Sequence, residues 1–142
     1  NRFVVELLPE ATATMVCARY EAASRTITWA HAGHPAPLRC GPAGVEYLHP
    51  PAGVMLGAVD DSVYGESSTL LNPGERLILF SDGLIERRGA SFIDGLAELR
   101  QVVEQTGPIG LEELCDRLTA QLPNAVGRED DTCLLVLESL AD

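Results

Sequence analysis

No stretch of about 18 consecutive apolar residues occurs anywhere in this chain of 142 residues, so it encodes no helix able to span a bilayer. The opening residues also lack the charged, apolar and small-residue pattern of a secretory signal, and a cytoplasmic protein is expected. Clustered cations are missing too. The formal net charge is −11, which argues against a surface built to neutralise nucleic-acid phosphates. Lysine is absent altogether; all ten cations are arginine, and no functional consequence is drawn from that. No C-x-x-C pair joins the four cysteines, Cys17, Cys40, Cys115 and Cys133. Each sits in an apolar or strand-like context, which favours reduced core thiols over a zinc site. What remains is ordinary globular composition, 46% apolar and 22% charged, in a length that suits one domain. A chain of this size buries roughly two thirds of its surface.

The order of patterns reads as strands first, then helices, then a strand. Asn1 to Glu10 is a short apolar run ended by Pro9, and reads as the tail of a helix. Ala11 to Tyr20 reads as a strand, Glu21 to Arg25 as a polar turn, and Thr26 to Ala30 as the second arm of a hairpin. His31 to Pro37 holds Gly33 and two prolines and is expected to be a loop. Residues 37–40 and 45–48 flank Gly41-Pro42-Ala43-Gly44 as a second hairpin, and His49 to Gly57 reads as an ordered loop. Val63 to Leu71 is a half-exposed strand. Asn72-Pro73-Gly74-Glu75 then turns the chain into Leu77-Ile78-Leu79-Phe80, an apolar run that reads as a strand buried on both faces. Beyond Gly89 the period becomes helical. Phe92, Leu96, Leu99 and Val103 form one stripe, and Leu111, Leu114, Cys115, Leu118 and Leu122 another. Thr106-Gly107-Pro108 separates them, and Thr132 to Leu137 is a final apolar strand.

Two acidic sites stand at the ends of the apolar strands. Asp82 follows the first inside Ser81-Asp82-Gly83, where Gly83 allows a tight change of direction. Glu86 lies four residues on and faces the same cleft if the chain turns helical there. Asp130 and Asp131 precede the last strand. If the two strands are antiparallel neighbours, the end of one meets the start of the other and the carboxylates crowd together. Their repulsion at neutral pH then calls for a cation, and oxygen donors suit Mg²⁺ or Mn²⁺. The alternatives are a helix N-cap for Asp82 and a solvated turn for Asp130-Asp131. Arg87 and Arg88 read as a solvated helix start, with contact to an anion as the alternative.

Five segments carry a resemblance in order: Ala32-Gly33-His34-Pro35; the loop ending in Met55-Leu56-Gly57; Leu71 to Leu77; Ser81 to Glu86; and Asp130-Asp131. From near residue 1 to about residue 138 the chain resembles the SpoIIE/RsbU-type members of the PP2C (PPM) metal-dependent serine/threonine phosphatases. The resemblance implies an α+β fold, a PP2C-like sandwich of antiparallel sheets flanked by helices. It makes Asp82, Asp130, Asp131, Gly83 and Glu86 the metal-site residues of a catalytic Mn²⁺ or Mg²⁺ pair, with Asp130 the direct ligand of its Asp-Asp pair and Glu86 helping to hold an accessory ion, and puts Gly33 and His34 next to the site, on the substrate side. His34 as a plain surface histidine is the alternative. The implied chemistry is hydrolysis of a phosphomonoester by metal-activated water, with no residue of the chain acting as a covalent catalyst. No Cys-x5-Arg loop for a phosphoenzyme is present.

One family motif does not occur. The upstream Gly-Asp-x-x-Gly-x-Gly segment, whose Asp bridges both metals, is absent from the sequence. Residues 1–142 are therefore expected to be the later part of such a domain, weak in metal binding and in turnover by themselves, with an exposed edge free to pair with another copy; a natural short form that lost its bridge is the alternative. The implied substrate is a phosphorylated bacterial signalling protein of the anti-sigma-factor-antagonist type, with no nucleic-acid or membrane partner. A non-catalytic phosphatase-like interaction module is the rival reading, and a hydrolase of small phosphoesters a third.

Overall fold

A computed structural model describes residues 1–8, 10–49, 51, 53–87, 89–122 and 131–141. Its elements run α1 (Arg2–Leu7), β1 (Met15–Glu21), β2 (Thr26–Ala32), β3 (Leu38–Gly41), β4 (Gly44–Tyr47), β5 (Ser67–Leu70), β6 (Arg76–Phe80), α2 (Phe92–Thr106), α3 (Leu111–Gln121) and β7 (Leu134–Glu138). They divide into two compact units, residues 1–36 with 49–71 and residues 37–48 with 72–142.

The first unit holds a three-stranded antiparallel sheet in the order β1-β2-β5. β1 and β2 form the expected hairpin, in a register that sets Met15 opposite Ala32 and Glu21 opposite Thr26. β2 is the central strand, and Ile27, Trp29 and Ala32 are its buried positions. Edge strand β1 is mostly exposed. Two expected boundaries move. β1 begins at Met15 rather than Ala11, and β2 continues through His31 and Ala32, which the glycine and prolines had marked as loop. Of the predicted strand over Val63 to Leu71, only Ser67–Leu70 pairs, with alternating exposure. α1 is held by its cap residue: the Asn1 amide donates to the Val59 carbonyl (2.9 Å) and its Oδ1 accepts from the Gly57 N–H (2.8 Å).

The second unit carries the larger core. Its antiparallel sheet runs β4-β3-β6-β7, and the β3–β4 hairpin turns at Gly41 to Gly44 as the sequence predicts. β6 lies between β3 and β7, so Leu77, Ile78 and Phe80 are buried, as the apolar run requires. Leu38, Ile78, Phe80, Leu84, Ile85, Leu99, Val103, Leu114, Leu118 and Leu122 form one cluster. Each of its fully covered aliphatic side chains contributes about 2 kcal/mol by leaving water. The two predicted helices supply the second half of that cluster. α2 starts with a capping box, in which the Ser91 hydroxyl accepts from the Asp94 N–H and the Asp94 carboxylate accepts from the Ser91 N–H. It ends at Gly107, whose φ of +68° lies in the left-handed region that favours glycine, and Pro108 blocks continuation. The Tyr47 hydroxyl donates to the Leu96 carbonyl at 2.7 Å and ties β4 to α2.

Two expectations need correction here. β7 is apolar in sequence yet takes an edge of the sheet, and Leu135 is 59% exposed. An apolar run looks the same whether one face or two are covered, so composition misleads. The cysteines are all free, as expected, but they are not core residues: Cys17 and Cys133 are exposed, and Cys40 and Cys115 half-buried. No helix among the described residues is long and apolar enough to cross a membrane.

Candidate metal centre

β6 and β7 are antiparallel neighbours, with Phe80 opposite Leu134 and Arg76 opposite Glu138. The end of one strand therefore meets the start of the other, which is the condition the acidic residues required. Beyond the last ladder pair the two chains remain stitched together. The Ser81 N–H donates to the Cys133 carbonyl (2.9 Å), and the Ser81 Oγ accepts from the Cys133 N–H (2.8 Å). The same hydroxyl donates to the Asp131 carbonyl at 3.2 Å, and the Thr132 hydroxyl donates to the Gly83 carbonyl at 3.0 Å. Residues 131–133 are thus laid along residues 81–83.

The change of direction after β6 is a 3-10 turn over Asp82–Leu84. Its backbone is right-handed, so the left-handed freedom of Gly83 is not what makes the turn. The Asp82 carbonyl accepts from the Ile85 and Glu86 N–H groups, both at 2.8 Å, and its Oδ1 accepts from the Gly83 N–H at 2.9 Å. Asp82 is half-buried, whereas Asp131 and Glu86 are exposed. The chain does not continue as a helix through Glu86, and α2 begins only at Phe92. Asp130 and Arg88 lie outside the described residues. Arg87 is half-buried: its guanidinium is ion-paired with Glu98 of α2, both side chains about 70% covered. Glu98 is a residue that sequence reasoning missed, since nothing in its spacing separates it from the other helix charges.

Gly33 and His34 belong to the first unit. Gly33 has a φ of +63°, donates to the Gly53 carbonyl at 3.0 Å, and would bring a Cβ to 2.6 Å from the Met55 side chain. His34 Nδ1 lies 3.0 Å from the Thr14 hydroxyl. His31, expected in a loop, lies near the end of β2. Its two ring nitrogens lie 3.1 Å from the His34 and Pro51 carbonyl oxygens, so it braces these two loops. Both partners only accept; a neutral ring satisfies one, and a protonated ring satisfies both.

The sequence model of the family described as Stage II sporulation protein E (SpoIIE) matches residues 1–139. The chain belongs to the SpoIIE family. Solved structures agree with the SpoIIE assignment. The RsbU and RsbW domains of Rv1364c from Mycobacterium tuberculosis match at TM-score 0.84 and 28% identity, covering 99% of this chain and 40% of that one. The SiaA PP2C domain of Pseudomonas aeruginosa matches at TM-score 0.77 and 17% identity over 96% of this chain and 56% of that one. The manganese-presoaked phosphatase domain of the Bacillus subtilis cell fate determinant SpoIIE matches at 0.74 and 15%, over 92% and 58%. The fold is therefore that of PP2C phosphatase domains, with antiparallel sheets and helices, and the chain spans roughly half the length of these structures.

Whether a SpoIIE-type metal fits is a question of donors. Asp82 presents a hard oxygen donor at the end of a rigid strand, and the Asp131 backbone is bonded beside it, which suits Mg²⁺ or Mn²⁺ in kind. In number the described residues fall short: no group of three or more His, Cys, Asp or Glu converges among them. The donor type fits; among the described residues the donor number does not.

Proposed function

We propose that this chain is part of a protein serine/threonine phosphatase that uses two or more Mn²⁺ or Mg²⁺ ions, held by Asp82, Asp130, Asp131 and Gly83, with Glu86 helping to hold an accessory ion. The supporting observation is the stitching of Ser81 to Asp131 and Cys133, which brings the second acidic segment to the first. When bound, such ions supply an activated water and offset the charge on the phosphoryl oxygens. The chain's own part is positional. The Gly83 N–H fixes one Asp82 oxygen, and the carbonyl of Asp82 anchors the turn that leads to Glu86. Gly33 and His34 are assigned to the substrate side. The substrate class is a phosphoserine or phosphothreonine protein in bacterial signalling, of the anti-sigma-factor-antagonist type, acted on in the cytoplasm. Pairing with a second copy is part of the proposal.

The test is Mn²⁺-dependent phosphate release from a phosphoserine protein by the protein at its natural full length. Asp82→Asn abolishes release if the reading holds, and unimpaired release overturns it. The second reading is a non-catalytic interaction module. Partner binding without any metal-dependent release from the wild type would favour it.

A further inference from the structure

We infer that Glu98 is a positioning residue for the acidic turn, acting through Arg87. On α2, Gly95, Glu98 and Leu99 share one face, being three and four residues apart. Each meets the segment that follows Asp82 or the core beneath it. A Cβ on Gly95 would lie 2.4 Å from the Ile85 carbonyl oxygen, so helix and turn are in backbone contact there. Leu99 is buried in the same cluster as Leu84 and Ile85. Glu98 holds Arg87, two residues beyond Ile85. The turn is in turn closed on Asp82, whose carbonyl accepts from Ile85 and Glu86. Residues 85 and 87 are thus clamped to α2 on either side of exposed Glu86, and the clamp leads back to Asp82 through two backbone hydrogen bonds.

The ion pair is the part of this clamp that is not apolar. Removing its carboxylate leaves a mostly covered guanidinium without that partner, and Arg87 loses its tie to α2. The effect expected is a looser Asp82 turn and weaker metal binding, since groups that orient a metal ligand from behind contribute to affinity.

The inference rests on the proposed metal reading, and its test separates the two. Mn²⁺ titration by calorimetry, on the natural full-length protein, compares wild type with Glu98→Gln, with the swapped pair Arg87→Glu/Glu98→Arg, and with Glu104→Gln. Glu104 pairs with Arg100 on the exposed part of the same helix and serves as the control for lost charge. Glu98→Gln is expected to weaken Mn²⁺ binding about tenfold, the swap to restore most of it, and Glu104→Gln to leave it unchanged. Hydrogen exchange at the amides of residues 82–87 is expected to rise in Glu98→Gln and to fall back in the swap. Unchanged affinity together with unchanged exchange in Glu98→Gln overturns the inference. If the wild type binds no Mn²⁺, the metal reading fails, and the exchange data alone still decide whether Glu98 positions the turn.

Discussion

Ser81 and Cys133 exchange two hydrogen bonds across the open end of the β6–β7 pair: the Ser81 N–H donates to the Cys133 carbonyl, and the Cys133 N–H donates to the Ser81 hydroxyl. The serine of the Ser-Asp-Gly segment is therefore a connector, and its hydroxyl also reaches the Asp131 carbonyl. Ser81→Ala removes both side-chain bonds. Because the Cys133 amide is near solvent and water can replace the lost acceptor, the expected cost is about 1 kcal/mol. Ser81→Thr, which keeps the hydroxyl, is expected to cost much less. Urea denaturation of both variants checks this, and equal losses in the two would show that the hydroxyl is not the connector.

Gly95 pits two effects against each other. Alanine in a helix interior gains about 1 kcal/mol over glycine. Here its Cβ meets a backbone oxygen, Ile85 O, at 2.4 Å, and that atom cannot rotate out of the way. Overpacking of this kind costs about 1–3 kcal/mol. Gly95→Ala is expected to lower the urea midpoint rather than raise it, and a rise would mean that the turn and α2 are not in contact.

The start of α2 gives a pH prediction. Hydrogen bonds from the Ser91 side chain and backbone hold the Asp94 carboxyl below the ordinary aspartate value. A lowered folded value means that its contribution is present above the unfolded value of about 3.9 and is lost as the pH falls through the folded one. Asp94→Asn is therefore expected to destabilise the protein at neutral pH and to match wild type in strong acid. Midpoints measured at both ends of that range test it, and a gap that persists in acid would count against the capping box.

Much of this was readable before any coordinates. The buried 77–80 strand, the hairpin around Gly41 to Gly44 and both helical stripes follow from periodicity and turn residues, because local covering decides them. The neighbouring of β6 and β7 was conditional in the sequence, since strand order depends on contacts between residues 54 to 62 positions apart. What the sequence hid has the same origin. His31 looks like a loop residue beside Gly33 and two prolines, yet pairing with β1 extends β2 through it. Leu135 looks buried, but no property of its own says that its strand is an edge. Glu98 reads as one more charge on a helix, and only the fold gives it Arg87. Asp130, on which the metal reading leans, lies outside the described residues.

The central claim is that carboxylates far apart in sequence share divalent ions. Anomalous diffraction from crystals of the full-length protein soaked in Mn²⁺ tests it most directly. The account predicts manganese peaks with carboxylate oxygens of both Asp82 and Asp130 about 2.1 Å away, the length of a hard-cation–oxygen bond. Manganese bound elsewhere, with Asp82 pointing at solvent and Asp130 remote from it, would contradict the account.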